Sequence, residues 1–248
     1  MRRATGATGT PVVLPFKAET LTAYEIGSKN RFLDERLQVN GDVFYYNYAG
    51  FQTATVDISP IPGVFYYTSF AVPVHAYGGE LETRYQIAPT DRIALDVAYS
   101  NVYYVDKPAL FAEFVAEDKL APLTPAQASQ IPLTVNISYD HIFDLPGGSS
   151  LTLHGDARYL SSHEGDLTAA QFQSGGEPYV HIKAAGIGDA GLTWRSPDSH
   201  YSVSGYVRNV TNNRYINNVL LGGSTQPFSF QQAQYDPRTY GVVLHLRF

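Results

Sequence analysis

The last nine residues, Tyr240-Gly-Val-Val-Leu-His-Leu-Arg-Phe248, constrain the fold more than any other stretch. Side chains alternate at period two along a strand. Tyr240, Val242, Leu244, Leu246 and Phe248 therefore fall on one face, and Gly241, Val243, His245 and Arg247 on the other. An apolar face opposite a polar, basic one, ending on a carboxyl-terminal aromatic, is the pattern of a closing strand in an outer-membrane barrel. A soluble sandwich can also end this way, so the constraint becomes strong only if the pattern repeats.

It repeats. Nine alternating segments are read, at about 19–33, 36–55, 74–87, 92–105, 133–144, 150–161, 188–196, 201–211 and 238–248. In the fourth, Ile93, Leu95, Val97 and Tyr99 oppose Ala94, Asp96, Ala98 and Ser100. In the fifth, Leu133, Val135, Ile137 and Tyr139 oppose Thr134, Asn136, Ser138 and Asp140. Helical periodicity is nowhere comparable, although 124–130 has the composition of a single turn.

The connections add a direction. Tight turns are expected at 34–35, Pro89-Thr-Asp91, Pro146-Gly-Gly148 and Pro197-Asp-Ser199, and long loops at about 56–73, 106–132, 162–187 and 212–237. Strict alternation of short and long connections is what a membrane barrel does, with inner turns short and outer loops long. The first strand then runs inward, and Phe248 ends at the periplasmic rim. The polar faces carry Asp, Asn, Arg, His or Glu, as a wet lumen requires. Tyr85, Tyr99, Tyr139, Tyr159 and Trp194 lie on apolar faces near strand ends, where interfacial girdles belong.

Composition narrows the function. Nineteen tyrosines and 13 phenylalanines suit a surface that meets two membrane interfaces. A net charge of −6 without a Lys/Arg cluster argues against nucleic acid as a partner. The lack of cysteine excludes disulfides and thiolate metal sites. No run of about 18 apolar residues is present, which excludes transmembrane helices, and Met1-Arg-Arg-Ala-Thr-Gly has no apolar secretory core.

Three stretches resemble a known family. Pro15-Phe-Lys-Ala-Glu19-Thr-Leu-Thr-Ala-Tyr24-Glu25-Ile-Gly27-Ser-Lys29 resembles the "P-E…YE-G-K" strand of TonB-dependent outer-membrane receptors. A turn and the strand Arg36-Leu-Gln-Val-Asn40-Gly-Asp-Val-Phe44-Tyr45-Tyr46-Asn-Tyr48 follow, as in that family. Val207-Arg-Asn209-Val-Thr-Asn-Asn-Arg-Tyr215 is similar to the family's "NLT/D-x-x-Y" segment, before Pro237-Arg-Thr-Tyr-Gly241 and the terminal Phe248.

The resemblance implies an all-β, antiparallel transmembrane β-barrel, with about nine meander strands corresponding to the carboxyl-terminal part of a 22-stranded barrel. Residues 1–18 are then a loop remnant or tail and 19–248 a partial barrel. No plug domain is legible, so contact with the TonB complex is expected only through a plug outside this sequence. The chain reads as a fragment or the product of a truncated gene. Unpaired strand edges would expose backbone groups to lipid at several kcal/mol each, so it is not expected to make a stable plugged transporter alone.

The implied function is transport of a scarce nutrient, such as an iron–siderophore complex, across the outer membrane of a Gram-negative bacterium. A passive channel or structural barrel, and an inert remnant, are the alternatives. A barrel-wall lipase would need a Ser–His pair on one patch, and none is evident. No catalytic residue, cofactor or metal site is read. The seven histidines are scattered, and His154, Asp156 and Arg158 on one face read as a lumen ion network. Ligand contacts are expected from outer-loop aromatics: Phe65, Tyr66, Tyr67, Phe111, Phe172 and Tyr179. Such rings suit stacking on a chelate or sugar, or packing loop against loop. The resemblance also assigns Tyr240, Val242, Leu244, Leu246 and Phe248 to the strand read by the barrel-assembly machinery, with outer-membrane lipid on its apolar side.

Overall fold

Period-two alternation leaves one arrangement in which both faces are satisfied: a sheet with one apolar and one polar side. The computed structural model describes residues 18–58, 65–105, 131–164, 181–221 and 230–247, with backbone alone at 53–58, 65–70, 104, 164, 217–221 and 230–233. Nine strands form one antiparallel meander: β1 (Thr20–Phe32), β2 (Leu37–Ile58), β3 (Phe65–Ala88), β4 (Asp91–Tyr104), β5 (Leu133–Asp144), β6 (Ser150–Leu160), β9 (Ala185–Arg195), β10 (Tyr201–Arg208) and β13 (Thr239–Leu246). Two small ribbons interrupt the chain order, β7 (His163–Glu164) with β8 (His181–Ile182) and β11 (Ile216–Leu221) with β12 (Phe230–Gln234). Among the described residues β1 and β13 are the two edges of the sheet, which is not closed.

Register makes the two faces continuous. Phe32 pairs with Leu37, Leu37 with Tyr85, Tyr85 with Ile93 and Ile93 with Tyr139, an apolar row along the inner ends of five strands. Toward the outer ends Tyr24, Tyr45 and Tyr77 are successive cross-strand partners. Tyr77 and Tyr85 are eight residues apart on β3. That is ~26 Å along a strand at ~3.3 Å per residue. A tilt of ~40° shortens it to a height of about 20 Å, near the ~25 Å apolar band of membrane barrels. Tyr85, Tyr99, Tyr139, Tyr159 and Trp194 all lie on this face, where girdle residues were expected.

The opposite face is polar without exception for cations. Lys29, Arg31, Arg84, Arg92, Arg158, Arg195 and Arg208 are the basic residues other than histidine in the nine strands, and register places every one on it. Apolar side chains such as Ile26, Ile137, Leu153 and Leu192 are exposed on the other side. An arrangement with its large apolar groups facing outward requires an apolar solvent around it.

One expected connection is corrected. The segment 56–73 was read as a long loop, yet β2 and β3 stay paired from Phe51↔Val72 to Ile58↔Phe65. The ribbon thus rises beyond Thr20 and Tyr104, where the neighbouring strands β1 and β4 end. A bulge between Tyr48 and Phe51, with Gly50 at φ +77°, marks where it leaves the sheet. Farther along β3, Gly78 has no room for a side chain. A Cβ there would sit 2.1 Å from the Tyr99 carbonyl oxygen and 2.6 Å from the Phe44 ring. Phe44 lies across that glycine and stacks on Tyr46 with ring centroids 4.8 Å apart. The single-turn segment 124–130 lies outside the described residues.

The two faces of β5 make a direct test. Ile137 faces outward between Leu95 and Ala157, and its neighbour Ser138 faces the polar side between Ala94 and Asp156. Ile137→Arg is expected to destabilise the lipid-embedded chain by ~2–4 kcal/mol and Ser138→Arg by under ~1 kcal/mol. Urea titration in lipid vesicles measures the difference.

Candidate functional site

On the polar face, cross-strand neighbours are matched rather than random. The Arg84 guanidinium donates to both carboxylate oxygens of Asp96, at 2.5 and 3.1 Å. Asn40 donates to Glu82 at 3.0 Å. The His154 ring lies between Asp140, at 2.7 Å, and Asp156, at 3.3 Å. Arg158 donates through Nε to Asn136 at 2.9 Å. His154, Asp156 and Arg158 therefore share one face as expected, with His154 bound to Asp156 and Arg158 bound to Asn136. Among the described residues no three histidine, cysteine or acidic side chains gather as a metal-binding group.

The outer end of this face carries the more informative construction. Asn209 follows β10 in a left-handed conformation, φ +50°, and is almost fully buried at 1% exposure. Its backbone N–H donates to Asp189 at 2.8 Å, and its Nδ2 donates to the carbonyls of Asn213 and Asp236, both at 2.9 Å. Its Oδ1 accepts from the Asn213 N–H at 2.9 Å. One side chain thus ties the start of the β10–β13 connection to its end. The Tyr235 N–H then donates to the Tyr215 carbonyl at 2.7 Å. Tyr215 packs with Leu160, Ile182, Ala185 and Ile187 in a buried cluster. Burial raises the Tyr215 phenol above the usual range, and among the described residues its hydroxyl has no hydrogen-bond partner.

The consequence is the placement of Tyr235. It lines a concavity of about 320 Å³ together with Asn136, Ser138, Asp156, Arg158 and Asp189. It also lines a neighbouring concavity of about 480 Å³ with Asp189, Arg208 and Asp236. The Arg208 guanidinium lies over the Tyr206 ring at 5.2 Å. An aromatic ring flanked by Arg158 and Arg208 and by the carboxylates of Asp156, Asp189 and Asp236 can hold an oxygen-rich solute by stacking and charge-assisted hydrogen bonds.

The residues expected from sequence are placed differently. Phe65, Tyr66 and Tyr67 are not in a loop; they sit in β3 opposite Ile58, Asp57 and Val56. Phe111, Phe172, Tyr179 and Phe248 lie outside the described residues. Tyr240, Val242, Leu244 and Leu246 occupy the exposed apolar face of β13, paired with Val207, Gly205, Val203 and Tyr201. Tyr235 was missed because nothing in its local sequence separates it from other loop tyrosines. Asn209 lay inside the family-like segment, and its left-handed turn was the available signal.

This fold, with its girdled apolar face and matched polar face, was compared with known proteins. The family model "TonB dependent receptor-like, beta-barrel" matches residues 2–210. The chain belongs to the TonB-dependent receptor β-barrel family. The ferric yersiniabactin uptake receptor FyuA from Yersinia pestis is 18% identical, with a TM-score of 0.66, over 94% of this chain and 30% of its own. The pyoverdine receptor FpvA from Pseudomonas aeruginosa is 16% identical, with a TM-score of 0.63, over 93% of this chain and 30% of its own. The copper transporter OprC is 14% identical, with a TM-score of 0.64, over 93% and 32%. The chain thus spans about 30% of the length of the solved receptors it resembles. No curated protein matches it. Family and fold are those of transport receptors rather than enzymes.

In this TonB-dependent receptor barrel, Asn209 is the residue on which the outer loop depends. Asn209→Ala strands the Asn213 and Asp236 backbone groups and is expected to cost about 3 kcal/mol. Hydrogen exchange should show faster exchange across 210–216 and 230–238 and unchanged protection in β5 and β6.

Proposed function

We propose that this chain forms part of the wall of an energised outer-membrane receptor for a scarce nutrient, such as an iron–siderophore complex, in a Gram-negative bacterium. The observation that supports it most is the paired concavity around Tyr235, set on the lumen side at the outer mouth. A solute arriving from outside meets this wall first. Arg158, Asn136 and Arg208 offer donors, Asp156 and Asp189 offer acceptors, and Tyr235 offers a ring to stack on. The yersiniabactin and pyoverdine receptors and the copper transporter point to the same class of cargo.

On this reading, residues 1–18 belong to an extracellular-loop remnant or tail and 19–248 to the partial barrel. Tyr66, Tyr67, Phe111, Phe172 and Tyr179 remain candidate contacts from the outer connections. Outer-membrane lipid covers the apolar face. The strand from Tyr240 to Phe248 is the segment offered to the barrel-assembly machinery. Energy would come from the TonB complex acting through a plug domain.

Uptake of radiolabelled iron, presented as a panel of ferric siderophores, tests this in cells with and without the gene. The expected result is uptake that is lost on deletion and abolished by a protonophore. Uptake that survives the protonophore would instead mark a passive channel.

A further inference from the structure

A second polar concavity lies at the opposite, inner end of the lumen face, and the proposed transport of a nutrient from outside does not use it. It measures about 320 Å³ and is lined by Arg195, Ser199, His200, Ser202, His245 and Arg247. Strand register builds it. Ser202 on β10 is the direct partner of Arg195 on β9 and of His245 on β13, so these three side chains share one row and one face. The Arg247 N–H donates to the His200 carbonyl at 2.9 Å, which brings the end of β13 against the β9–β10 turn. Ser199 sits in that turn in a left-handed conformation at φ +61°.

The lining holds two guanidiniums, two imidazoles and two hydroxyls, and no carboxylate. Asp198, in the same β9–β10 turn, is already occupied. Its Oδ1 accepts from the Ser196 hydroxyl at 2.5 Å and from the His200 N–H at 3.1 Å, and its Oδ2 lies 3.4 Å from His200 Nδ1. Those donors hold the Asp198 carboxyl below the usual carboxylate range. Arg195 and Arg247 lie on either side of β10 and line one concavity, and like charges gathered in this way repel. An anion between them removes the repulsion and accepts from donors in fixed positions. These side chains face the lumen, away from the lipid-facing Tyr201, Leu244 and Leu246.

We propose that the rim of β9, β10 and β13 is an oxyanion-binding site for a phosphate-type group, held by Arg195 and Arg247 with Ser202, His200 and His245. With two guanidiniums in the lining, the higher charge of a diphosphate suits it better than that of a single phosphate. The same chemistry can be supplied by a soluble diphosphate or by the headgroup of an anionic phospholipid at the inner leaflet.

The test is calorimetric titration of pyrophosphate into the full chain folded in a zwitterionic detergent. Binding is expected to weaken about tenfold or more in Arg195→Gln and in Arg247→Gln, and to weaken with added salt. Arg247 follows the last paired strand residue, so Arg247→Gln keeps the fold if Arg195→Gln does not. Lys29→Gln, on the lumen face of β1 and away from this concavity, should leave the affinity unchanged. The same titration in nanodiscs containing cardiolipin, whose headgroup carries two phosphates, separates the sources. Competition by that lipid, lost in Arg247→Gln, assigns the site to a headgroup, and its absence assigns it to a soluble diphosphate. Undetectable pyrophosphate binding, or affinity unchanged in Arg247→Gln, overturns the proposal. Neither result bears on siderophore uptake, which is read in cells at the outer mouth.

Discussion

Sideways backbone pairing is the interaction on which the rest of this molecule depends. In hydrocarbon an unpaired amide or carbonyl costs several kcal/mol, so a strand persists there only when both neighbours complete its ladder. Each interior strand of the nine-stranded sheet, β2 to β6, β9 and β10, has two antiparallel partners. Once the ladder is set, period-two geometry assigns every side chain to lipid or lumen with no further freedom. The basic residues of the strands all fall on the lumen side because a one-residue slip would put all of them into lipid. The polar network of Arg84, Asp96, His154 and Arg158 and the inner basic rim are consequences of the same register.

The ladder also explains how distant residues come to act together. Arg195, Ser202 and His245 span 50 positions of sequence and share one row of the sheet. Asn136, Arg158 and Ile187 likewise meet through β5, β6 and β9. Asn209 performs the equivalent task where the ladder stops. Its side chain stands in for missing strand partners at the end of β10 and holds the outer connection so that Tyr235 lies over the lumen wall.

Most of the sheet was legible in the sequence because a half-buried strand in a membrane has to alternate. The limits of β5 and β6 were read to within a residue for that reason, with Ile137 and Ser138 on their observed faces. The upper parts of β2 and β3 were not. Beyond the bulge at Gly50 the ribbon leaves the apolar band, one face no longer meets lipid, and Phe65 to Pro73 need not alternate. The short ribbons β7–β8 and β11–β12 carry too few residues for a period to show. The candidate sites were less legible still. The histidines looked scattered because the register that sets His245 beside Ser202, and so near His200, is not a local property, and Tyr235 owes its place to Asn209, 26 positions earlier.

The central claim, that one face of this sheet meets lipid and the other water, is tested most directly on β5. The chain has no cysteine, so single cysteines can be placed at each position from 134 to 140 and spin-labelled in lipid vesicles. Collisions with oxygen, which partitions into lipid, should peak at 135, 137 and 139. Collisions with a water-soluble nickel chelate should peak at 134, 136, 138 and 140. A common profile for both reagents, or a period near 3.6 residues, would contradict the account.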